Sequence, residues 1–196
     1  MKKLLLSIII ILISVTILSC NFHSEDRILK KLEKHLDKYT GYNTELQMKT
    51  LMDNKEEEYK MKESYTLGGK YRLEIIEPSD SQGIIIQYDG DKIYIQHATI
   101  KESIEINSIK KFDQGLLIGK FFRDRDRDNV KSIDEQEIDG EKYYVFHNKV
   151  EDKNKYNREQ IIWLKKKDFK PYMLNILDAN NEPRVIIKYK NFDFTK

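Results

Sequence analysis

Over most of its length this chain changes side at every residue, and that period of two constrains its fold more than any other feature. Leu46, Met48 and Met52 alternate with Gln47, Lys49 and Leu51, then Tyr59, Met61 and Tyr65 with Lys60, Lys62 and Ser64, then Tyr71, Leu73 and Ile75 with Arg72 and Glu74. Successive side chains of a strand point to opposite faces, so each run reads as a strand with one buried and one wetted side. Gly68-Gly69 and the stretch from Pro78 to Gly83 interrupt the pattern. Asp89-Gly90, between predicted strands 84–88 and 92–97, and Asp139-Gly140, between 130–138 and 143–148, are hairpin turns, because Asp-Gly tolerates the positive φ such turns require. Further strands are predicted at 160–164, 172–177 and 184–190, which makes roughly ten.

Two helices accompany them. Ser24 is a suitable N-cap, Glu25 and Asp26 favour the first turn, and Ile28, Leu29, Leu32 and Leu36 form one apolar stripe running to about Lys38, with Gly41 as the stop. His35 lies beside that stripe, as a surface or boundary residue. The second helix, Asp113 to Arg123, offers Leu116, Leu117, Ile118, Phe121 and Phe122 for burial, while Gly115 and Gly119 weaken it by up to about 1 kcal/mol each. The fold class is therefore α+β. A curved antiparallel sheet with one apolar face covers that face either by curling on itself or by packing the helices into its concavity.

Ahead of the domain, Lys2 and Lys3 precede an apolar run from Leu4 to Leu18 that only Ser7, Ser14 and Thr16 interrupt. At about 15 residues it is shorter than the roughly 20 a spanning helix needs. Ser19 and Cys20 end it like a cleavage site, so 1–19 reads as a signal peptide. Residues Ile17-Leu18-Ser19-Cys20 resemble a lipobox, which implies a diacylglycerol thioether on Cys20, the sole cysteine of the chain. The alternative, an uncleaved anchor with an incidental cysteine, also places the domain outside the cytoplasm. On the lipobox reading 20–24 is a lipidated tether and 25–196 one domain, with no linker, repeat or low-complexity tract to divide it. A tether this short reaches roughly 15 Å and holds the domain against the membrane.

Function classes fall away one after another. The chain has 35 basic and 33 acidic residues, and loss of Lys2 and Lys3 with the leader leaves 33 of each. A neutral domain with no basic stripe is not built for nucleic acid. The run from Arg123 to Asp128 places carboxylates at every second position, with Glu135 where a calcium loop has its twelfth residue. Asn129 occupies the glycine position and arginines intervene, so the run reads as a self-neutralising solvated turn or a docking surface. His23, His35, His97 and His147 are scattered, with no metal-ligand spacing, and His97 and His147 end predicted strands. No nucleophile motif occurs. The expectation is a non-enzyme with no cofactor and no metal.

What remains is surface. Tyr59, Tyr65, Tyr71, Tyr88, Tyr94, Tyr143 and Trp163 line the predicted sheet, ordinarily as core. The face carrying Met48, Met52, Tyr59, Met61, Tyr65, Tyr71 and Leu73 can alternatively hold acyl chains or a partner's side chains, and the pattern does not separate these. An unclosed sheet also leaves edge strands, which are capped or used for pairing with a partner or in a strand-paired or swapped homodimer.

The order of elements resembles the LolA/LolB-like lipoprotein-carrier superfamily. The resemblance rests on the N-terminal helix after the leader, the hairpins Tyr88 to Ile95 and Ile138 to Tyr143, the mid-chain helix, and the tail from Ile161-Ile162-Trp163-Leu164 through Lys170-Pro171-Tyr172 to Phe192. It implies an open, incomplete β-barrel covered by helices. The superfamily's functional residues match no positions here and none is transferred; the lipobox implies a fixed protein in place of a soluble shuttle. Among lipidated relatives the chain is similar to the GerS-type clostridial germination lipoproteins. That similarity implies a non-catalytic partner of a cell-wall N-acetylmuramoyl-L-alanine amidase, at a spore or forespore membrane, in the cortex modification that germination requires.

Overall fold

The computed structural model describes residues 25–52, 55–100, 102–107, 117–124, 127–150 and 157–196. The leader, Cys20, the tether and His23 lie outside them. Helix α1 (25–36) leads into β1 (Gly41–Met52), β2 (Lys55–Thr66), β3 (Tyr71–Glu77), β4 (Ile84–Tyr88), β5 (Lys92–His97) and β6 (Ser103–Asn107). Helix α2 (Ile118–Asp124) follows, then β7 (Val130–Ile138), β8 (Glu141–Lys149), β9 (Glu159–Lys165), β10 (Pro171–Leu177) and β11 (Pro183–Thr195). All the strands form one antiparallel eleven-stranded sheet in the order β6-β5-β4-β3-β2-β1-β11-β10-β9-β8-β7. The meander is consecutive except at its centre, where β1 pairs with β11 and joins the two ends of the domain, with Gly41 opposite Thr195.

The sheet is not closed, and β6 and β7 are its edges. One core cluster joins its inner face to the helices. It runs from Ile75 on β3 through Met61, Leu46, Ile187, Leu174 and Ile162 to Phe146 and Ile133 on β7. Ile28, Leu32 and Leu36 of α1 and Ile118 and Phe122 of α2 belong to the same cluster. The helices thus cover the face that the period-two pattern made apolar. A smaller cluster, Tyr143, Val145 and Trp163 with Tyr172 and Met173, lies apart from that core.

The open, helix-covered sheet is the architecture expected, with four differences in detail. β6 has no counterpart in the sequence pattern, β1 and β11 run longer than the patterns drawn from them, Leu117 precedes α2 where the expected second helix includes it, and Gly41 opens β1 in place of a helix stop; residues 113–116 of that expected helix lie outside the described residues. A side chain at Gly41 would collide with the Tyr65 carbonyl, so glycine there permits close strand approach. Gly90 (φ 109°) and Gly140 (φ 77°) hold the turns that Asp-Gly announced.

Candidate functional site

Strand register decides which side chains meet on the inner face. Tyr42, Leu46 and Met48 of β1 lie opposite Tyr65, Met61 and Tyr59 of β2, and Met61, Glu63 and Tyr65 lie opposite Ile75, Leu73 and Tyr71 of β3. Directly opposed residues of antiparallel strands share a face. Met48, Tyr59, Met61, Tyr65, Tyr71 and Leu73 are therefore gathered on one surface. Met61, Tyr65 and Tyr71 are in the core, and Met48, Tyr59 and Leu73 pack partly buried against it. The Met52 side chain lies outside the described residues. The aromatic residues as a group do not share this surface: Tyr143 and Trp163 form the separate cluster, and Tyr94, opposite Gln87, is on the other face from Tyr88 and Ile93.

The gathered face is occupied by the protein's own helix. Tyr42 is stacked on Tyr65 with centroids 5.5 Å apart and the rings within 6° of parallel, and Phe192 stacks on Tyr42 at 4.7 Å. Phe122 of α2, fully buried, meets Tyr42 edge-on at 6.2 Å. Gly119 brings the helix backbone onto Tyr65 so closely that a Cβ would lie inside the 3.0 Å that real Cβ atoms keep from the ring. The glycine read from sequence as a weakness is thus what permits this contact. Arg123, one turn on, sits over Gly69, where a Cβ would be 2.9 Å from its Nη1. α1 closes the other flank, with His35 packed among Tyr39, Phe169 and Phe194 at 5.3 to 5.4 Å. Burial foremost, and then the charge of Lys38, lower the pKa of that imidazole.

Within this apolar layer stands one carboxylate. Glu63 of β2 is 1% exposed and faces inward between Met61 and Tyr65. Tyr42 donates its phenolic proton to Oε1, while Oε2 is buried without a hydrogen-bond partner among the described residues. Burial pushes Glu63 up to about 7, against the pull of the Tyr42 hydrogen bond. The same burial, with the Glu63 charge behind it, raises Tyr42 well above the usual phenol range. Hydropathy sets Glu63 with the wetted residues of its strand, although its parity with Tyr59, Met61 and Tyr65 places it on the buried face.

The other sequence candidates are dispersed. In the charged run Arg123 bonds Asp124 at 2.6 Å and Asp128 is in a 3-10 turn, while Arg125 and Asp126 lie outside the described residues. Glu135, the supposed twelfth ligand, is on β7 and pairs with Lys166 at 2.6 Å, so the loop's terminal carboxylate is engaged elsewhere. His97 ends β5 and bridges the Gln82 carbonyl and the Thr99 hydroxyl, each at 2.9 Å. His147 is within β8 rather than at its end, between Asp134 (3.3 Å) and Glu159 (3.4 Å). Among the described residues no three His, Cys, Asp or Glu side chains are placed to hold a metal ion.

The two edges differ in character. On β7 the Glu25 carboxylate accepts the Ile133 amide at 3.2 Å, so the start of α1 caps a strand edge rich in charge. β6 is five residues long, and Ile104 on it, with Ile100 just before it, is 68% and 57% exposed respectively.

The chain is 24% identical to the sporulation protein YdcC of Bacillus subtilis over its whole length, and it spans 59% of that longer relative. Its structure matches that of the GerS lipoprotein solved in complex with the CwlD amidase of Clostridioides difficile, at 22% identity and a TM-score of 0.52, over 86% of this chain and 95% of the matched one. An uncharacterized conserved protein from Thermus thermophilus matches with a TM-score of 0.57 and 13% identity over 88% of each chain. A LolA superfamily protein is also among the matches. The family model that covers residues 1–196 is that of YdcC-like sporulation proteins, and the chain belongs to that family.

Proposed function

We propose that this protein is an extracytoplasmic lipoprotein, anchored through Cys20, that has no catalysis of its own and works by docking on a cell-wall N-acetylmuramoyl-L-alanine amidase during spore-cortex modification. The observation that carries this reading is the occupied inner face: Gly119 and Phe122 sit on Tyr65 and Tyr42, where a carried acyl chain would have to lie. That leaves outer surface and strand edges for function. The sporulation family supplies the setting, and the fold shared with GerS, whose solved partner is an amidase, supports the partner class. The β6 edge, with Ile104 exposed on it, favours strand-mediated contact, with a partner or with a second copy. The test is affinity capture of the cognate amidase by purified protein, with lipid extraction and mass spectrometry of the same sample. The proposal expects a stoichiometric amidase complex and no bound lipid; a lipid-loaded protein that captures no amidase supports the carrier alternative instead.

A further inference from the structure

Glu63 is a buried acid that the docking function does not use, and four strands surround it with phenols. Tyr42 of β1 is bonded to it, and its charge is felt by Tyr65 of β2, Tyr71 of β3 and Tyr189 of β11, with Tyr88 of β4 beyond. From the described residues of α2, Arg123 and Asp124, which are bonded to each other, act on Tyr65. Tyr65 is raised to about 12 by burial, and burial also raises Tyr42, Tyr71 and Tyr189, so all these phenols keep their protons through neutrality. Glu63 is the member of this cluster that changes charge near neutral pH.

Two of the phenols also touch α2. Gly119 rests on the Tyr65 ring, and Phe122 meets the Tyr42 ring edge-on at 6.2 Å. The hydroxyls of Tyr65 and Tyr189 are buried without hydrogen-bond partners among the described residues, as is Glu63 Oε2. A protonated Glu63 is neutral and has a proton to donate to a phenolic oxygen. An ionised Glu63 leaves charge on an oxygen that lacks a donor, an arrangement a dry core does not tolerate. We propose that Glu63 is a proton-operated latch beneath α2. Protonated, it leaves Tyr42 and Tyr65 seated against the helix; ionised, it draws water to its open oxygen, and that hydration loosens α2 from the sheet. This is independent of which partner the protein binds.

Hydrogen exchange of the α2 backbone amides between pH 6 and 8, corrected for intrinsic rates, tests the latch in the intact protein and in Glu63→Gln. A group titrating near 7 goes from about a tenth to about nine-tenths ionised over that range, so α2 opening rises about tenfold in the wild type. It stays flat in Glu63→Gln, and at every pH α2 exchanges faster than the β9 amides that report global unfolding. Tyr42→Phe removes the bond that holds Glu63 down and moves the transition to higher pH, which a merely structural role would not do. An α2 as protected as β9, a Glu63→Gln profile parallel to the wild type, or an unshifted Tyr42→Phe transition overturns the proposal.

Discussion

Replacing Gly119 with alanine separates two opposing physical effects by sign. Alanine is better than glycine by about 1 kcal/mol in a helix interior and by less at the second helical position, where Gly119 stands, so propensity alone makes the substitution neutral to stabilising. In this fold the new methyl group would overlap Cγ, Cδ2 and Cε2 of Tyr65, all inside 3.0 Å. The ring cannot slide away, because it is stacked on Tyr42, and Tyr42 is itself sandwiched against Phe192 at 4.7 Å. Overpacking of this kind costs about 1 to 3 kcal/mol, and the absence of any give behind the ring favours the upper end. The net expectation is a loss of about 1 to 2 kcal/mol. Urea denaturation followed by fluorescence of Trp163, the sole tryptophan and 9% exposed, measures it. Tyr65→Leu should relieve the penalty, giving a favourable coupling in the double variant. If Gly119→Ala is as stable as the wild type or more so, α2 does not sit on Tyr65 and the occupied inner face is wrong.

Glu63 titrates near 7 folded and 4.5 as a free side chain, so the folded state holds the proton more tightly. Its stabilising contribution is complete below about 4.5 and is lost as pH rises to about 7, some 3 kcal/mol over the window. Glu63→Gln should flatten that dependence and be the more stable protein at pH 8, by denaturation at a series of pH values. Phe122→Ala, which empties a fully buried site between Tyr42 and Phe194, is expected to cost about 3 to 5 kcal/mol in the same assay. Cys20→Ala is expected to release the protein from the membrane fraction, since acyl chains contribute about 0.8 kcal/mol per buried methylene and none would remain; retention with unchanged mobility would refute the lipid anchor.

Local patterns announced local structure well. The Asp-Gly pairs, the alternation of β2 and β3 and the apolar stripe of α1 each follow from a few neighbouring residues, and each is where it was expected. The pairing of β1 with β11 has no such signal, because Gly41 and Thr195 meet only through the curl of the whole sheet. β6 was missed because its five residues offer barely two alternations, with Ile104 left exposed. Glu63 was legible in principle, since parity alone put it among Met61 and Tyr65, but hydropathy set it with the wetted residues. Gly119 was visible and misread: sequence shows what a glycine costs a helix, and only the packed Tyr65 shows why none other fits.

The central claim, that the protein acts through another protein's active site and has none itself, is tested most directly by amidase turnover. Purified protein, cognate amidase and spore-cortex peptidoglycan are combined singly and together, and released peptide stems are quantified. The account predicts no product from the protein alone and a rise in amidase turnover when the two are mixed. Product from the protein alone, or an amidase rate indifferent to its presence, would contradict it.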